Sequence, residues 1–551
     1  MVRKTFIFKL WAAAAVIGDI ALLFGQAGPA TAAEPIWDGL AGNPQHTALG
    51  PVATDPLQGI RWSTPVDTSL SGSGEVLIHY GSPMVTAENT VIVPVKTTSA
   101  GGFIIEALNG STGGSPIWQT STGYTFPTPY GWTPSYSPVL TPNNVLYYPD
   151  AGGTVDYRTN PDSAVGTTGQ IAFYTNINNY NNNPSAYNGI AIDTPLTSDS
   201  SGDIYFGYRI DSPNHPAGMT DGIARIAPNG SATYMSVDAI ASNPTVSANM
   251  VPGVDTVVMN SAPALSNNGK TLYVAVSNGP NSYSGVGDLV ALNAATLAPT
   301  AAVELKDPQN GSLAYLPDDG SASPMVDPNG DVYMGTLENP FNSNNDRGFM
   351  LHYSADLTQT KTPGLFGWDD TASVVPASMV PEYKGSSNYL IMTKYNNYYG
   401  HGTGTGLNEL AILDPNATET VNGTLVMNEV ETVLGPTPDL VARADGYPLA
   451  VREWCINTAL VDPATDSVLV NSEDGNLYRW DLLSDTLTAL VQLTHGIGEA
   501  YTPTLEGADG SVYAIQNGTL YNVAPEPGTS LLLVLGAPLV IMRRKRRTLH
   551  H

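Results

Sequence analysis

Short apolar steps recur along the chain, each followed by a polar turn and then an alternating strand. One unit reads Ser323-Pro-Met-Val-Asp-Pro-Asn-Gly-Asp-Val-Tyr-Met-Gly335. It holds a small residue and a proline, an apolar pair, a turn at Asn329-Gly330, and a strand around Val332, Tyr333 and Met334. Asn and Gly tolerate the left-handed backbone of a tight turn, so the unit predicts a β-hairpin. The unit occurs eight times. Its copies start at Ser82-Pro-Met-Val, Ser137-Pro-Val-Leu, Thr194-Pro-Leu-Thr and Ala262-Pro-Ala-Leu, then at Ser323-Pro-Met-Val. A degenerate copy, Pro376-Ala-Ser-Met-Val380, follows, and the last two start at Thr458-Ala-Leu-Val and Thr502-Pro-Thr-Leu. Third strands follow most units, as at Ile104-Ile-Glu-Ala-Leu-Asn109, Phe349-Met-Leu-His-Tyr353 and Leu477-Tyr-Arg-Trp-Asp481, and fourth strands follow in places, as at Pro116-Ile-Trp-Gln119.

Four short antiparallel strands per repeat predict an all-β fold, a β-propeller of eight four-stranded blades. The last unit supplies only three strands (502–505, 511–515, 520–523) before the tail begins. The stretch Gly59-Ile-Arg-Trp-Ser63, ahead of the first unit, supplies the missing fourth. A blade built from both ends of the chain closes the ring.

Composition agrees: 55 Gly and 43 Pro with 13% charged residues suit a turn-rich β protein rather than a helical one. The formal charge is −27. Setting aside eight terminal basic residues and Asp19 leaves 14 basic against 48 acidic residues, a body of about −34. Such a surface repels phosphate backbones and excludes nucleic acid as a partner. One cysteine, Cys455, permits no internal disulfide and reads as a small buried hydrophobe beside Trp454. The sheets must therefore hold themselves together by packing and closure.

The ends carry addresses. Residues 1–32 have a basic start (Arg3, Lys4), an apolar stretch interrupted by Asp19, and Ala30-Thr-Ala32 as a small-x-small cleavage site, which predicts a signal peptide and export. The body spans 33–523. Segment 524–551 holds Pro525, Glu526 and Pro527, then twelve apolar residues (531–542), then Arg543, Arg544, Lys545, Arg546 and Arg547. The apolar stretch predicts a short transmembrane helix, with the basic cluster on the cytoplasmic side. This order resembles the PEP-CTERM sorting tag. The resemblance implies a Gram-negative bacterium that makes extracellular polysaccharide, recognition by an exosortase-type processing enzyme, transient inner-membrane anchoring, removal of the tail, and delivery to the cell surface or matrix.

A second resemblance concerns the body. Trp37-x-Gly39, Gly42-Asn-Pro-Gln-His-Thr47 and Ile60-Arg-Trp62, with the repeated blade pattern, resemble the pyrroloquinoline-quinone-like (PQQ-like) propeller repeats over 35–523. That family includes quinoprotein dehydrogenases, outer-membrane assembly scaffolds and proteins without known activity. Its blade-docking tryptophan is matched at Trp62 and Trp118 only. Its dehydrogenases carry in many members a vicinal disulfide, with a calcium site and a base aspartate; Cys455 alone cannot form the disulfide, so no cofactor is expected. Fold transfers more safely than function.

Catalytic devices are scarce. The chain has no Gly-x-Ser-x-Gly elbow and no His-Glu-x-x-His pair. Gly400-His-Gly-Thr-Gly-Thr-Gly406 leads into a strand rather than a helix, so it reads as a blade loop and not a phosphate cradle. Asp327-Pro-Asn-Gly-Asp331 and Ser472-Glu-Asp-Gly475 offer oxygens to calcium, though hairpin turns explain both. Asp318-Asp319 and Asp369-Asp370 are candidate acid pairs for glycoside chemistry. Two loops pair aromatic rings with amides, a combination suited to sugar. One contains Tyr174, Tyr180 and Tyr187; the other contains Tyr395, Tyr398, Tyr399 and His401. The expected function is non-catalytic binding of polysaccharide or envelope proteins; the alternative is a polysaccharide hydrolase or lyase with carboxylates in the funnel.

Overall fold

A computed structural model describes residues 33–69, 81–98, 101–125, 136–279, 284–317, 322–498 and 500–525. The signal segment and the sorting tag beyond Pro525, including its apolar helix, lie outside the described residues, as do Asp318 and Asp319. The described body forms eight antiparallel sheets in sequence order, an eight-bladed propeller.

Blade 1 consists of Met84–Val85, Thr90–Thr98, Gly101–Asn109 and Gly113–Ser121. Blades 2 to 4 repeat this order, with second strands at Val145–Pro149, Ile204–Ile210 and Thr271–Ser277. In blades 3 and 4 the inner strand is broken in two, Ile190–Ile192 with Thr197–Ser198, and Thr256–Val257 with Ala264–Leu265. Blade 5 has three strands: Met325–Val326, Val332–Thr336 and Phe349–Tyr353. Blade 6 ends in an extended hairpin, Glu409–Val421 with Thr424–Leu434, turning at Asn422 (φ 48°) and Gly423 (φ 84°). Blade 7 runs from Leu460–Asp462 to Thr486–Gln492. Blade 8 places Leu505–Glu506, Val512–Gln516 and Thr519–Ala524 beside Gly59–Pro65, with Gly59 opposite Ala524 and Pro65 opposite Thr519. The two ends of the chain therefore share one blade, as the strand count requires.

The degenerate sixth unit differs from its expected position. Its inner strand is Ser373–Pro376, and Ala377–Met379 is a 3-10 turn. Proline brings no N–H to a ladder, so the strand ends there rather than beginning.

The Ser/Thr-Pro signature acquires a physical reason. Ser137 Oγ accepts from the Ser82 N–H (3.2 Å), Ser323 Oγ from the Ala262 N–H (2.9 Å) and Thr371 Oγ1 from the Ser323 N–H (2.9 Å). Each hydroxyl ties its blade to the preceding one. The two expected docking tryptophans do the same farther out: Trp62 Nε1 donates to Gly110 O (2.8 Å) and Trp118 Nε1 to Pro161 O (2.5 Å), each in the next blade. Between blades 4 and 5 Tyr273 takes this role, its hydroxyl donating to Ala355 O at 2.6 Å.

The amino-terminal segment runs around the axis against the inner strands. Val85, Leu140, Leu265, Val326, Val374 and Val461 donate their backbone N–H groups to the carbonyls of Trp37, Asp38, Pro44, Gln45, Thr47 and Ala48, at 2.7–3.0 Å. Gly39 lies against blades 2 and 3, and the Val52 N–H reaches Glu506 of blade 8 at 2.7 Å. Inner strands would otherwise present unpaired donors along the axis, and this segment satisfies them. Gly42 permits the bend: its φ is 81°, and a Cβ there would lie 2.9 Å from the Trp37 ring. The stretch Trp37–His46–Thr47, which carried the family resemblance, is thus an axial plug.

Candidate functional site

A cavity of about 750 Å³ opens between blades 4 and 5. It exists because blade 5 lacks its fourth strand. After Phe349–Tyr353 the chain turns and returns through Thr360-Lys-Thr-Pro-Gly364. That return meets the strand at the bridges Tyr353–Thr360 and Met350–Gly364 and through the Lys361 N–H to His352 O (2.8 Å), without forming a fourth strand. Pro363 offers no donor, and its carbonyl is taken by the Met427 N–H (2.8 Å) of the long blade-6 hairpin. The outer strand of blade 4, Pro299–Glu304, is left facing open space.

The groove has an aliphatic floor that includes Ala301, Val303, Leu351 and Leu357, and a rim with Thr245, Asn249, Thr300 and Thr360. Its charges are paired. Lys306 Nζ lies 2.7 Å from Glu304 Oε2, and Lys361 Nζ contacts Asp331. His352 stacks on Tyr333 (4.2 Å between centroids) and places Nε2 3.3 Å from Asp331 Oδ2. Burial alone would raise the Asp331 carboxyl, but hydrogen bonds from His352 and Lys361 outweigh it and hold it below the ordinary range. Asp307 accepts the backbone N–H groups of Gln309 (2.7 Å) and Asn339 (2.8 Å).

Two triads bring three ligand atoms within 4.8 Å of one another: Asp327, Asp331 and His352, and Glu453, Cys455 and Glu473. Asp327 already accepts from the N–H groups of Asn329 (2.7 Å) and Asp331 (3.0 Å) and from the hydroxyls of Tyr333 (3.2 Å) and Tyr389. That is the turn arrangement, and it leaves no lone pair facing a cation. In the second triad Cys455 Sγ lies 3.6 Å from Glu473 Oε2 and 4.0 Å from Glu453 Oε2. A nucleophilic cysteine is activated by cationic neighbours, and here two carboxylates lie within 4.0 Å of the sulfur. Asp474 of the same turn accepts from Thr437 (2.6 Å) and Tyr478 (2.7 Å).

The tyrosine loops emerge on one face of the ring, because strand 2-to-3 turns and blade-to-blade connections leave an antiparallel blade at the same end. Within loop 174–187 the three rings cluster, Tyr174 and Tyr180 lying 5.3 and 5.9 Å from Tyr187. The Tyr174 hydroxyl donates to Gly152 O (2.6 Å) and the Tyr180 hydroxyl to Ala151 O (2.9 Å). In the other loop Tyr395 is buried under Arg347 (4.3 Å), Tyr399 packs on Tyr447 (5.4 Å), and His401 pairs with Asp346 at 2.5 Å. Tyr398 has a buried hydroxyl whose pKa is pushed well up by that burial. The two loops are not brought together: one follows blade 2 and the other belongs to blade 6.

The buried acids are occupied. Asp370 is pushed up to about 7 by burial, opposed by Lys394 and by a hydrogen bond from Thr393. Glu506 rises to about 8 by burial, opposed by the Val52 N–H. The sequence did not announce the groove, since it arises from a strand that fails to form; Pro363-Gly364 was the available signal.

No family model matches the sequence, and no curated protein matches it. Solved structures match in fold. A europium-containing methanol dehydrogenase aligns over 87% of this chain and 89% of its own at 9% identity, with a TM-score of 0.51. The quinohemoprotein alcohol dehydrogenase of Comamonas testosteroni aligns over 91% and 83% at 12% identity and 0.49. BamB of Moraxella catarrhalis aligns over 85% and 100% at 11% identity and 0.42. At such identities the likeness is one of fold, the PQQ-type eight-bladed propeller, and residue roles do not transfer. A vicinal disulfide of the kind many quinoproteins carry does not fit a chain whose one cysteine sits between two glutamates.

Proposed function

We propose that this chain is an exported propeller that binds polysaccharide, without cleaving it, in the groove between blades 4 and 5. The observation that carries the reading is the groove itself: a cavity of about 750 Å³ with an aliphatic floor and a hydroxyl and amide rim. Polyhydroxylated ligands need both surfaces, apolar area for the C–H faces and convergent hydrogen-bonding groups for the hydroxyls. The half-buried rings of Tyr187 and Tyr399 are proposed as auxiliary contacts. The amino-terminal signal delivers the body. The tail, from Pro525, Glu526 and Pro527 to the cluster Arg543, Arg544, Lys545, Arg546 and Arg547, anchors it transiently in the inner membrane for an exosortase-type enzyme, and the body goes on to the surface or matrix. Among the described residues no helix is long and apolar enough to cross a membrane.

The test is to incubate the purified body with the source organism's extracellular polysaccharide. Retention on the polymer with no new reducing or unsaturated ends is expected; chain shortening would establish the hydrolase or lyase reading instead. Deleting the five terminal basic residues should change retention in the membrane or removal of the tail, and unchanged size and location would refute the sorting role. An envelope protein as ligand is the second reading, favoured by Leu440 (72% exposed) and Leu449 (69%) on the connection between blades 6 and 7.

A further inference from the structure

The groove between blades 4 and 5 says more about its ligand than that it carries hydroxyls. We infer that the polymer is uncharged where it lies in the groove, an inference that rests on the polysaccharide reading above.

Every ionic group on the wall has a partner within the chain. Lys306 is held by Glu304 at 2.7 Å, and Lys361 and His352 converge on Asp331. Asp307 is 0% exposed and committed to two backbone N–H groups. Asp356 accepts from the Ser354 hydroxyl (2.7 Å) and from the Thr358 hydroxyl (2.8 Å) and N–H (3.2 Å). A carboxylate or ammonium on the ligand would compete with groups already matched within the chain and would lose its own hydration to do so, with no unmatched opposite charge on the wall to offset that cost. The neutral groups are in the opposite condition. Among the described residues no protein partner meets the side chains of Thr245, Asn249 or Thr360, and all three are exposed. They come from two separate segments, Thr245 and Asn249 from the connection between blades 3 and 4 and Thr360 from the return after Phe349–Tyr353, and they line one cavity. The body as a whole, at about −34, repels polyanions at long range.

Charge matched within the protein and hydrogen-bonding capacity left over is the surface an uncharged glycan fits. Its binding should be governed by neutral hydrogen bonds and aliphatic contact, so salt should change it little.

The experiment uses the full body and the source organism's extracellular polysaccharide in three forms: native, carboxyl-reduced (uronates converted to neutral sugars) and fully N-acetylated. Affinity electrophoresis at low and high salt reads the binding. Retardation that survives both modifications and changes by less than about twofold with salt is expected. Retardation lost on carboxyl reduction or N-acetylation, or falling steeply with salt, overturns the inference while leaving polysaccharide binding intact. Retardation by none of the three forms overturns both. Ala301→Trp fills the groove and should lower affinity at least tenfold; undiminished binding by the folded variant overturns the location. Should that variant misfold, the exposed double change Thr245→Ala with Thr360→Ala should weaken binding severalfold at an unchanged melting temperature, and undiminished binding by it likewise overturns the location.

Discussion

Asp327 shows how much one turn residue can hold. Its carboxylate accepts two backbone N–H groups inside its own hairpin and the hydroxyls of Tyr333 and, from blade 6, Tyr389. Asp199 repeats the motif in blade 3, accepting the N–H groups of Ser201 (2.8 Å) and Asp203 (2.9 Å) and the Tyr205 hydroxyl (3.2 Å). Replacing Asp327 by Ala leaves these donors unmatched in a buried site, so Asp327→Ala should cost about 3 kcal/mol, read as a lower denaturant midpoint. Asp199→Ala should cost somewhat less, since it has no second tyrosine from a neighbouring blade. The turn was legible from Asn329-Gly330 and its flanking alternation, because it is a local backbone requirement. The Tyr389 contact was not, because it joins residues 62 positions apart and belongs to blade packing.

At the scale of elements, the segment from Trp37 to Pro65 does two jobs. Its first part satisfies inner-strand donors of blades 1, 2, 4, 5, 6 and 7, and its last part completes blade 8. Strand counting revealed the second job, since three strands at the carboxyl end called for a fourth. The first job was hidden: the stretch from Trp37 to Thr47 stood out only through a family resemblance, and nothing in its local pattern says that carbonyls of this segment face six blades. Deleting residues 33–50 while keeping Gly59–Pro65 should preserve strand content but lower the melting temperature and broaden the transition, which circular dichroism and calorimetry would register. A synthetic peptide covering 33–55, added in trans, should restore part of the loss. An unchanged transition would mean that the plug contributes nothing to closure. Trp118→Phe removes the bond to Pro161 and shrinks the ring that lies 4.3 Å under Arg158, so it should cost about 1 to 2 kcal/mol.

The whole molecule is an acidic ring with many carboxyls buried, and this sets its response to pH. Burial, opposed by local hydrogen bonds, pushes Asp156, Asp288 and Asp370 up to about 7 and Glu506 up to about 8; burial likewise lifts Glu431 to about 7, with neighbouring acids adding to it. In the unfolded chain these groups ionise near pH 4, so between about pH 4 and 8 the folded state holds more protons. Stability from this source is complete below pH 4 and is lost as pH rises through 7 to 8. His46 acts in the opposite sense. Burial lowers it to about 4 against the Pro324 carbonyl, so the fold loses stability as pH falls through the range between 6.5 and 4. Melting temperature should therefore peak in mildly acidic solution and fall toward pH 8.5; Glu506→Gln should flatten the alkaline side. A profile rising steadily from pH 5 to 9 would contradict this balance.

The groove belongs to the same scale, since it is made by the spacing of two blades and the absence of one strand. Hydrogen exchange of the body with and without the source organism's extracellular polysaccharide tests its proposed role directly. Protection concentrated in residues 299–304 and 351–361, on a polymer that keeps its length, is the expected result. Protection confined to loops 174–187 and 395–401, with the groove exchanging as before, would contradict the groove as the binding site.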